Sequence, residues 1–483
     1  MWTCDTLPLD NTRADIERFL ALLNTQVHDF FSPAIPLTVG RAPGRLDLMG
    51  GIADYSGSLV LQMPLAVATI VALQSISEPT LVVCSTTASE IAGDTIVQLP
   101  LDQLHQQGQP ISYKEAHTLF NQHDTTSWAA YVLGIIVSLQ FEQYLTLKHG
   151  LRILVHCEVP IGKGVSSSAA LEVATMQALC AHFKLSLNGH DIARLCQKVE
   201  NVIVGAPCGI MDQMASTYGE NNSLLALLCQ PAVLLDAVPL PEGIEIWGID
   251  SGVRHAVSGA DYGSVRVGAF MGYRMIAEMA GLTAILHEPE SITIDDPYWQ
   301  GYLANIPPSL WETMYREKIP VTMRGDEFLQ RYSGTTDPVT HIDPGLVYAI
   351  RQPTAHPIYE HHRVQLFRAL LQLPQPGEAE YTLLGELMYQ SHASYSACQL
   401  GSNGTNMLVE LVRQQGPQAG LYGAKITGGG SGGTVAILAR NGSEPHLQQI
   451  IKQYEQETGL TTTILHGTSS GAKAWGYLQF HST

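Results

Sequence analysis

Three consecutive serines at the mouth of a glycine loop are the residues in this sequence best suited to hold a phosphate. The stretch Pro160-Ile161-Gly162-Lys163-Gly164-Val165-Ser166-Ser167-Ser168-Ala169-Ala170 follows a strand-like run at 153–158 and opens a helical pattern over 168–183. Glycines let successive backbone N–H groups turn toward one point, and the first turn of a helix leaves its N–H groups unpaired and partly positive. The serine hydroxyls add donors, and Lys163 is close enough to add a point charge. This is not a Walker motif, because Lys163 lies between the glycines and no GxxxxGK[ST] spacing occurs. Taken alone, the same residues read equally well as a serine-capped helix after a tight turn.

Two further glycine clusters carry candidate groups. Lys425-Ile426-Thr427-Gly428-Gly429-Gly430-Ser431-Gly432-Gly433-Thr434 lies between strand-like runs, which places its backbone for close approach; a flexible linker has the same composition. The other, from Gly40-Arg41-Ala42-Pro43-Gly44-Arg45 to Gly50-Gly51-Ile52-Ala53-Asp54-Tyr55, holds Arg45 in what reads as a glycine turn. Asp212, in Gly209-Ile210-Met211-Asp212-Gln213-Met214, is a carboxylate in apolar company. Burying it is costly without a cation or several donors, and Arg45 is the candidate partner; a turn or cap role is the alternative. Glu200 stands beside the apolar face of its helix, where a solvated charge would also stand.

The elements that position these groups follow from periodicity. Residues 12–24 place Ile16, Phe19, Leu20 and Leu23 on one helical face, and runs at 37–41, 58–75 and 81–84 read as strands. The helix over 168–183 is apolar nearly all round, so it is buried on most sides, whereas the next, over 191–204, is one-sided. Irregular alternation of strands and helices predicts an α+β fold rather than a doubly wound sheet. Gly219-Glu220-Asn221-Asn222-Ser223 marks a boundary dividing the chain into 1–222 and 223–483, and the Pro-, Asp- and Tyr-rich tract 286–357 reads as an insertion in the second part.

Composition excludes several function classes. Charged residues make up 14% of the 483, and 26 Lys plus Arg against 44 Asp plus Glu leave a formal net charge of -18. Such a surface repels phosphate backbones and anionic lipid, which argues against nucleic-acid and membrane partners but leaves room for a small anion in a local pocket. Met1-Trp2-Thr3-Cys4-Asp5 lacks the start of a secretory signal, and the apolar stretch 59–73 is interrupted and too short to span a bilayer. The eight cysteines are scattered singly, with no metal-like spacing, so reduced thiols in a cytoplasm are expected. Nothing in the sequence fixes an oligomeric state.

Taken together and in this order, the three glycine clusters resemble the GHMP kinase family. Pro207-Cys208-Gly209-Ile210-Met211-Asp212-Gln213 and Ser251-Gly252-Val253-Arg254-His255 resemble its galactokinase branch. The resemblance implies a ribosomal-protein-like N-terminal domain and a ferredoxin-like C-terminal domain, with the site between them, and ATP and Mg²⁺ as cofactors. Gly162, Lys163, Gly164, Val165, Ser166, Ser167, Ser168 and Ala169 would wrap the ATP phosphates, joined by Gly429 and Gly430, and Trp128 would line the adenine pocket. Ser168 and Glu200 match the Mg²⁺ positions. Asp212 matches the acid facing the anomeric hydroxyl of a sugar, and Arg45 the arginine that orients it; whether Asp212 takes the proton or only orients it stays open. Asp54, Gly209 and Tyr262 match sugar-contacting positions.

The departures from that pattern bear on substrate. Galactokinases carry Gly-Glu-His-Thr-Asp-Tyr where this chain has Gly50-Gly51-Ile52-Ala53-Asp54-Tyr55, so the polar pair that holds the outer part of galactose is replaced by Gly51 and Ile52. L-Arabinopyranose has the ring hydroxyl layout of galactose without the C6 hydroxymethyl, and a lost partner costs about 1–3 kcal/mol. This stretch, the run Ala260-Asp261-Tyr262-Gly263-Ser264-Val265-Arg266 and the tract 298–363 resemble the L-arabinose-specific kinases of the branch. The expectation is therefore an L-arabinose 1-kinase, with galactose or another galacto-configured sugar as the alternative substrate. A catalytically dead sugar sensor is the rival from another class; the intact Ser166-Ser167-Ser168, Arg45 and Asp212 argue against it.

Overall fold

The computed structural model describes residues 1–4, 6–91, 93–124, 126–253, 260–288 and 290–482. Its larger sheet is built around three long apolar strands. β1 (Leu37–Met49) pairs antiparallel with β2 (Leu59–Ile76), and residues 69–76 of β2 pair antiparallel with β3 (Gly150–Cys157). Among the described residues this sheet has ten strands, including Trp2–Cys4 and Leu478–Ser482 from the two ends of the chain. The strand expected to stop at residue 41 runs on to Met49 because two register shifts, at Pro43/Arg45 and Asp47/Met49, absorb its proline and glycine. Arg45 is thus on a bulged strand, not in a turn. Gly44 is there for close packing: a β-carbon would lie 2.7 Å from Val159 and 2.8 Å from the Val165 carbonyl oxygen.

Helices cover one face. α1 (Ser167–Phe183) lies on β1 and β2 and buries Val173, Ala174, Met176 and Leu179 against Val71, Leu73 and Ile153. α2 (Gly189–Lys198) continues into a wider π-type turn, Val199–Val204, where one unbroken helix was expected. That widening turns Glu200 inward; such bulges are frequent at functional sites. α3 (Met211–Tyr218) follows. The expected boundary at 222/223 is not where the sheets divide. Ser223–Leu228 pairs with residues 59–62 of β2, and Val233–Leu234 and Val238–Pro239 pair with it in turn. The Gly-Asn signal marked a turn, tied down by Thr468 on Asn221 and Asn222, rather than a linker.

The second sheet starts at β4 (Ile244–Asp250). After it come α4 (Ala260–Met279), α5 (Arg351–Leu371), α6 (Glu378–Ala397), β5 (Leu421–Ile426) and β6 (Thr434–Arg440). Its spatial order is β5, β6, β4, then Thr463–His466, all antiparallel, which is the ferredoxin-like arrangement. Trp247, Ile249, Leu408, Val412, Ile437 and Tyr454 form its core. Between α4 and α5, residues 284–350 make a folded unit whose Trp299, Trp311, Phe328 and Tyr348 pack on Tyr273 of α4 and Ile358 of α5. Arg254 and His255 lie outside the described residues.

One buried ion pair joins the two sheets. Lys425 of β5 donates to Asp47 of β1 at 2.7 Å, both side chains fully buried, and Gln62 donates to the other Asp47 oxygen at 2.7 Å. Among the described residues no helix is long and apolar enough to cross a membrane, and all eight cysteines are free of disulfides.

Candidate active site

Two cavities flank the serine loop and the Arg45–Asp212 pair, which the Gly164 carbonyl ties together. The first, about 380 Å³, is lined by Arg45, Ile52, Asp54, residues 204–209, Met211, Asp212, Tyr262, Gly428 and Gly429. The second, about 270 Å³, is lined by Ser85, Thr87, Ala88, Trp128, Tyr131, Val155, Cys157, Ile161, Gly162, Ser167, Ser168 and Leu171. Glu200 lies between them: Ser168, which lines the second, and Cys208, which lines the first, both act to stabilise its carboxylate charge.

Arg45 and Asp212 form the pair expected from the sequence. The guanidinium donates from Nε to Oδ1 and from Nη2 to Oδ2, both at 2.9 Å, and from Nη1 to the Gly164 carbonyl at 2.6 Å. This fork fixes the carboxylate in one plane and ties it to the serine loop. Arg45 is buried, while the Asp212 side chain keeps 19% of its exposure and faces the first cavity.

The serine loop departs from a simple cap. Ser166 has φ +60°, makes no capping bond to the helix, and its buried hydroxyl has no partner. The start of α1 therefore keeps its donors free, as a phosphate seat requires. Val165 and Ala169 are buried and support the loop, with the Val165 carbonyl accepting from Arg45 N at 3.0 Å. The structure gives three of the expected residues other neighbours. Lys163 is engaged by Asp250 at 2.9 Å, so its charge is shared with β4 rather than free beside the serines. Gly429 lines the first cavity beside Tyr262, and Gly430 packs on Leu400, so neither lines the cavity that holds Trp128. The glycine loop is a fitted element, not a linker: Thr434 donates to the Lys163 carbonyl from N at 3.1 Å and from Oγ1 at 2.9 Å.

Buried acids converge on the junction. Burial and the Asp212 charge raise Glu200 to about 7, although Ser168, Cys208 and Gln213 donate to it. Gln213 Nε2 bridges Glu200 at 2.6 Å and Glu172 at 3.1 Å, and burial together with the Glu200 charge pushes Glu172 well above the carboxylate range. Asp54 rises to about 7, from burial and Asp212, opposed by Arg266. One of its oxygens has no partner, and a side chain at Gly209 would run into the other. Such excess negative charge over hard oxygen donors, Glu200 and the Ser168 hydroxyl, suits Mg²⁺, which takes one or two carboxylates and keeps its remaining positions for water and phosphate.

Ile52 lines the first cavity with φ +50°, a left-handed conformation that is a true outlier for a β-branched residue and costs on the order of 1–3 kcal/mol. α5 holds it there. Glu360 accepts from Gly50 N at 3.1 Å, and neutral His356, lowered to about 4 by burial, donates from Nε2 to the Gly51 carbonyl at 3.2 Å. Gly51 itself does not line the cavity, contrary to expectation: a side chain there would meet the Tyr395 hydroxyl and Asp47. Tyr395 and Val265 back Ile52 as an apolar wall. Sequence reasoning missed Cys208, Tyr131, His356 and Glu360. The last two had no signal, being some 300 positions from the residues they hold.

Known proteins compare as follows. The GHMP kinases N terminal domain model matches residues 130–220, the galactokinase galactose-binding signature residues 28–75, and the GHMP kinases C terminal model residues 377–458. The L-arabinokinase of Arabidopsis thaliana is 45% identical over 486 residues, covering 91% of this chain and 46% of that protein, so the chain spans about half the length of this relative. The galactokinase of Thermosipho africanus is 28% identical over 436 residues, covering 89% and 97%. The crystal structure of Lactococcus lactis galactokinase complexed with galactose superposes with a TM-score of 0.71 at 20% identity, over 94% of this chain and 99% of that one.

Proposed function

We propose that this chain, which belongs to the GHMP kinase family in its galactokinase branch, is an ATP-dependent sugar 1-kinase that converts L-arabinose to β-L-arabinose 1-phosphate. One observation carries the reading: Asp212, locked by the Arg45 fork, stands where a cavity of sugar size meets a serine-lined helix start with free donors. The sugar occupies the first cavity with its anomeric hydroxyl at Asp212, contacting Asp54, Gly209 and Tyr262. ATP lies in the second, its base against Trp128 and its phosphates on the loop 162–169. Ser168 and Glu200 would hold Mg²⁺, which would supply charge neutralisation for the phosphoryl transfer. Arg45 keeps Asp212 aimed at the hydroxyl and adds positive charge beside the transferring group, and the α1 N–H groups stabilise its oxygens. Asp212 accepts the hydroxyl proton or a hydrogen bond from it. Eight cysteines with no disulfide among the described residues support a reducing, cytoplasmic setting.

Arabinose is favoured because the wall at Ile52 offers no donor or acceptor to a hydroxymethyl group. An apolar wall rejects an added hydroxyl only by roughly 10²-fold, so residual activity on galactose is expected. ADP release with a panel of free sugars tests the reading. A preference for galactose of about tenfold or more, some 1.4 kcal/mol, moves the assignment to galactokinase; no sugar-dependent release at all would sink the kinase reading.

A further inference from the structure

A buried ion pair runs from the unit at 284–350 toward the sugar cavity, beside the apolar contact that its core makes with Tyr55. Asp337, with its side chain fully buried, receives Arg266 Nε on Oδ2 at 2.8 Å and Arg266 Nη2 on Oδ1 at 2.7 Å. Its own segment prepares it for that charge: Val339 N, Thr340 N and Thr340 Oγ1 donate to the same carboxylate at 3.2, 3.3 and 2.6 Å. Arg266 lies one helical turn beyond Tyr262 on α4, so both project from one face of that helix. Its remaining nitrogen, Nη1, donates to the Cys208 carbonyl at 3.2 Å, and its guanidinium sits 5.3 Å from the Tyr55 ring centre. Cys208 and Gly209 line the sugar cavity; Tyr55 follows Asp54 and packs edge-on to Tyr262 at 5.9 Å.

We infer that Asp337 and Arg266 are positioning residues for the sugar, through which the 284–350 unit fixes the Cys208–Gly209 wall and the Asp54–Tyr55 side of the cavity. The inference rests on the sugar-kinase reading and gives this unit a place in it. An ion pair made only for stability needs no third partner. Here each guanidinium nitrogen is engaged: two hold it to Asp337 and the third holds a carbonyl of the cavity wall. The nucleotide cavity shares none of these contacts.

The test is kinetic, on the full chain. In Asp337→Asn the KM for the sugar should rise at least about tenfold, the value of one buried charged hydrogen bond, while the KM for ATP stays within about twofold. Arg266→Lys, which keeps the charge but loses the fork, should give the same split. The double variant should be no worse than the poorer single one, because both act through one contact. Should Asp337→Asn fail to fold, Thr340→Val removes one donor from the carboxylate and leaves the ion pair; a rise of about threefold in the sugar KM alone is then expected. Equal changes in both KM values, or a lowered Tm with both unchanged, would overturn the inference while wild-type turnover leaves the kinase reading standing. A wild type that phosphorylates no sugar would overturn both.

Discussion

The two ends of the cleft are built on opposite principles. The phosphate-holding part of the nucleotide end is local: Gly162, Ser167 and Ser168 come from one loop and the helix that follows it, while Ser85, Thr87, Trp128 and Tyr131 complete the cavity. The sugar end is assembled from Arg45, Ile52, Asp54, residues 204–209, Met211, Asp212, Tyr262, Gly428 and Gly429, and several of these segments are held by side chains from far along the chain. Glu360 and His356 hold Gly50 and Gly51, Asp337 holds Arg266, and Tyr395 fills the room beside Gly51. A phosphate needs only converging donors, which one contiguous loop can supply. Telling one sugar from another needs walls on several sides, which no contiguous stretch can. The sugar end should therefore be sensitive to substitutions well outside it, and the nucleotide end should not.

Four experiments sharpen or break this contrast. The largest effect is expected at Gly51→Glu, which forces a carboxylate into the Tyr395 hydroxyl and Asp47; overpacking with a buried charge costs on the order of 3 kcal/mol or more. Soluble protein with a wild-type Tm would mean that the sugar end is looser than described. Asp212→Asn should fold and bind ATP normally while kcat falls by at least about 10²-fold. Near-wild-type turnover would remove Asp212 from the chemistry.

Smaller effects separate recognition from charge. Ile52→His adds a polar group to the wall without the clash at 51 and should move the galactose-to-arabinose kcat/KM ratio toward galactose by about 1–2 kcal/mol. An unchanged ratio would mean that Ile52 does not face the distinguishing part of the sugar. The smallest concerns pH. Because Glu200 and Asp54 are raised to about 7, the folded protein holds protons that the unfolded chain releases near 4. Their contribution to stability is complete below that range and is lost as pH rises through 7, so the Tm of ligand-free protein should fall across this window. Mg²⁺ should bind more tightly at pH 8 than at pH 6, and Glu200→Gln should raise the Mg²⁺ requirement and flatten that difference. Superimposable magnesium titrations of wild type and variant would leave Glu200 without a metal role.

What the sequence revealed follows the same division. The serine loop and the candidate pairing of Arg45 with Asp212 were legible from glycine spacing and a lone acid in apolar company, whereas the ferredoxin-like second half came only from the resemblance to the GHMP kinase family. Three readings failed for one shared reason. Gly219 to Ser223 looked like a domain boundary, Pro43-Gly44 like a turn and Gly51 like a pocket residue, because glycine announces an unusual backbone or a close neighbour without saying which. The residues around Glu200 alone left a solvated helix charge open as the alternative, since a π-type widening of a helix leaves the polar pattern of the sequence unchanged. His356, Glu360 and Asp337 are ordinary residues of an unremarkable tract until the fold brings them to the motif they support.

The Lys425–Asp47 pair between the sheets has a thermodynamic consequence. Each sheet buries one half of it, so melting either lobe alone would strand a bare charge inside the other, at about 3–5 kcal/mol. Partial unfolding is penalised from both directions. A scanning calorimeter should therefore record one endotherm for the two lobes, with calorimetric and van't Hoff enthalpies in agreement, and Lys425→Met, which leaves Asp47 unpaired, should split or broaden it.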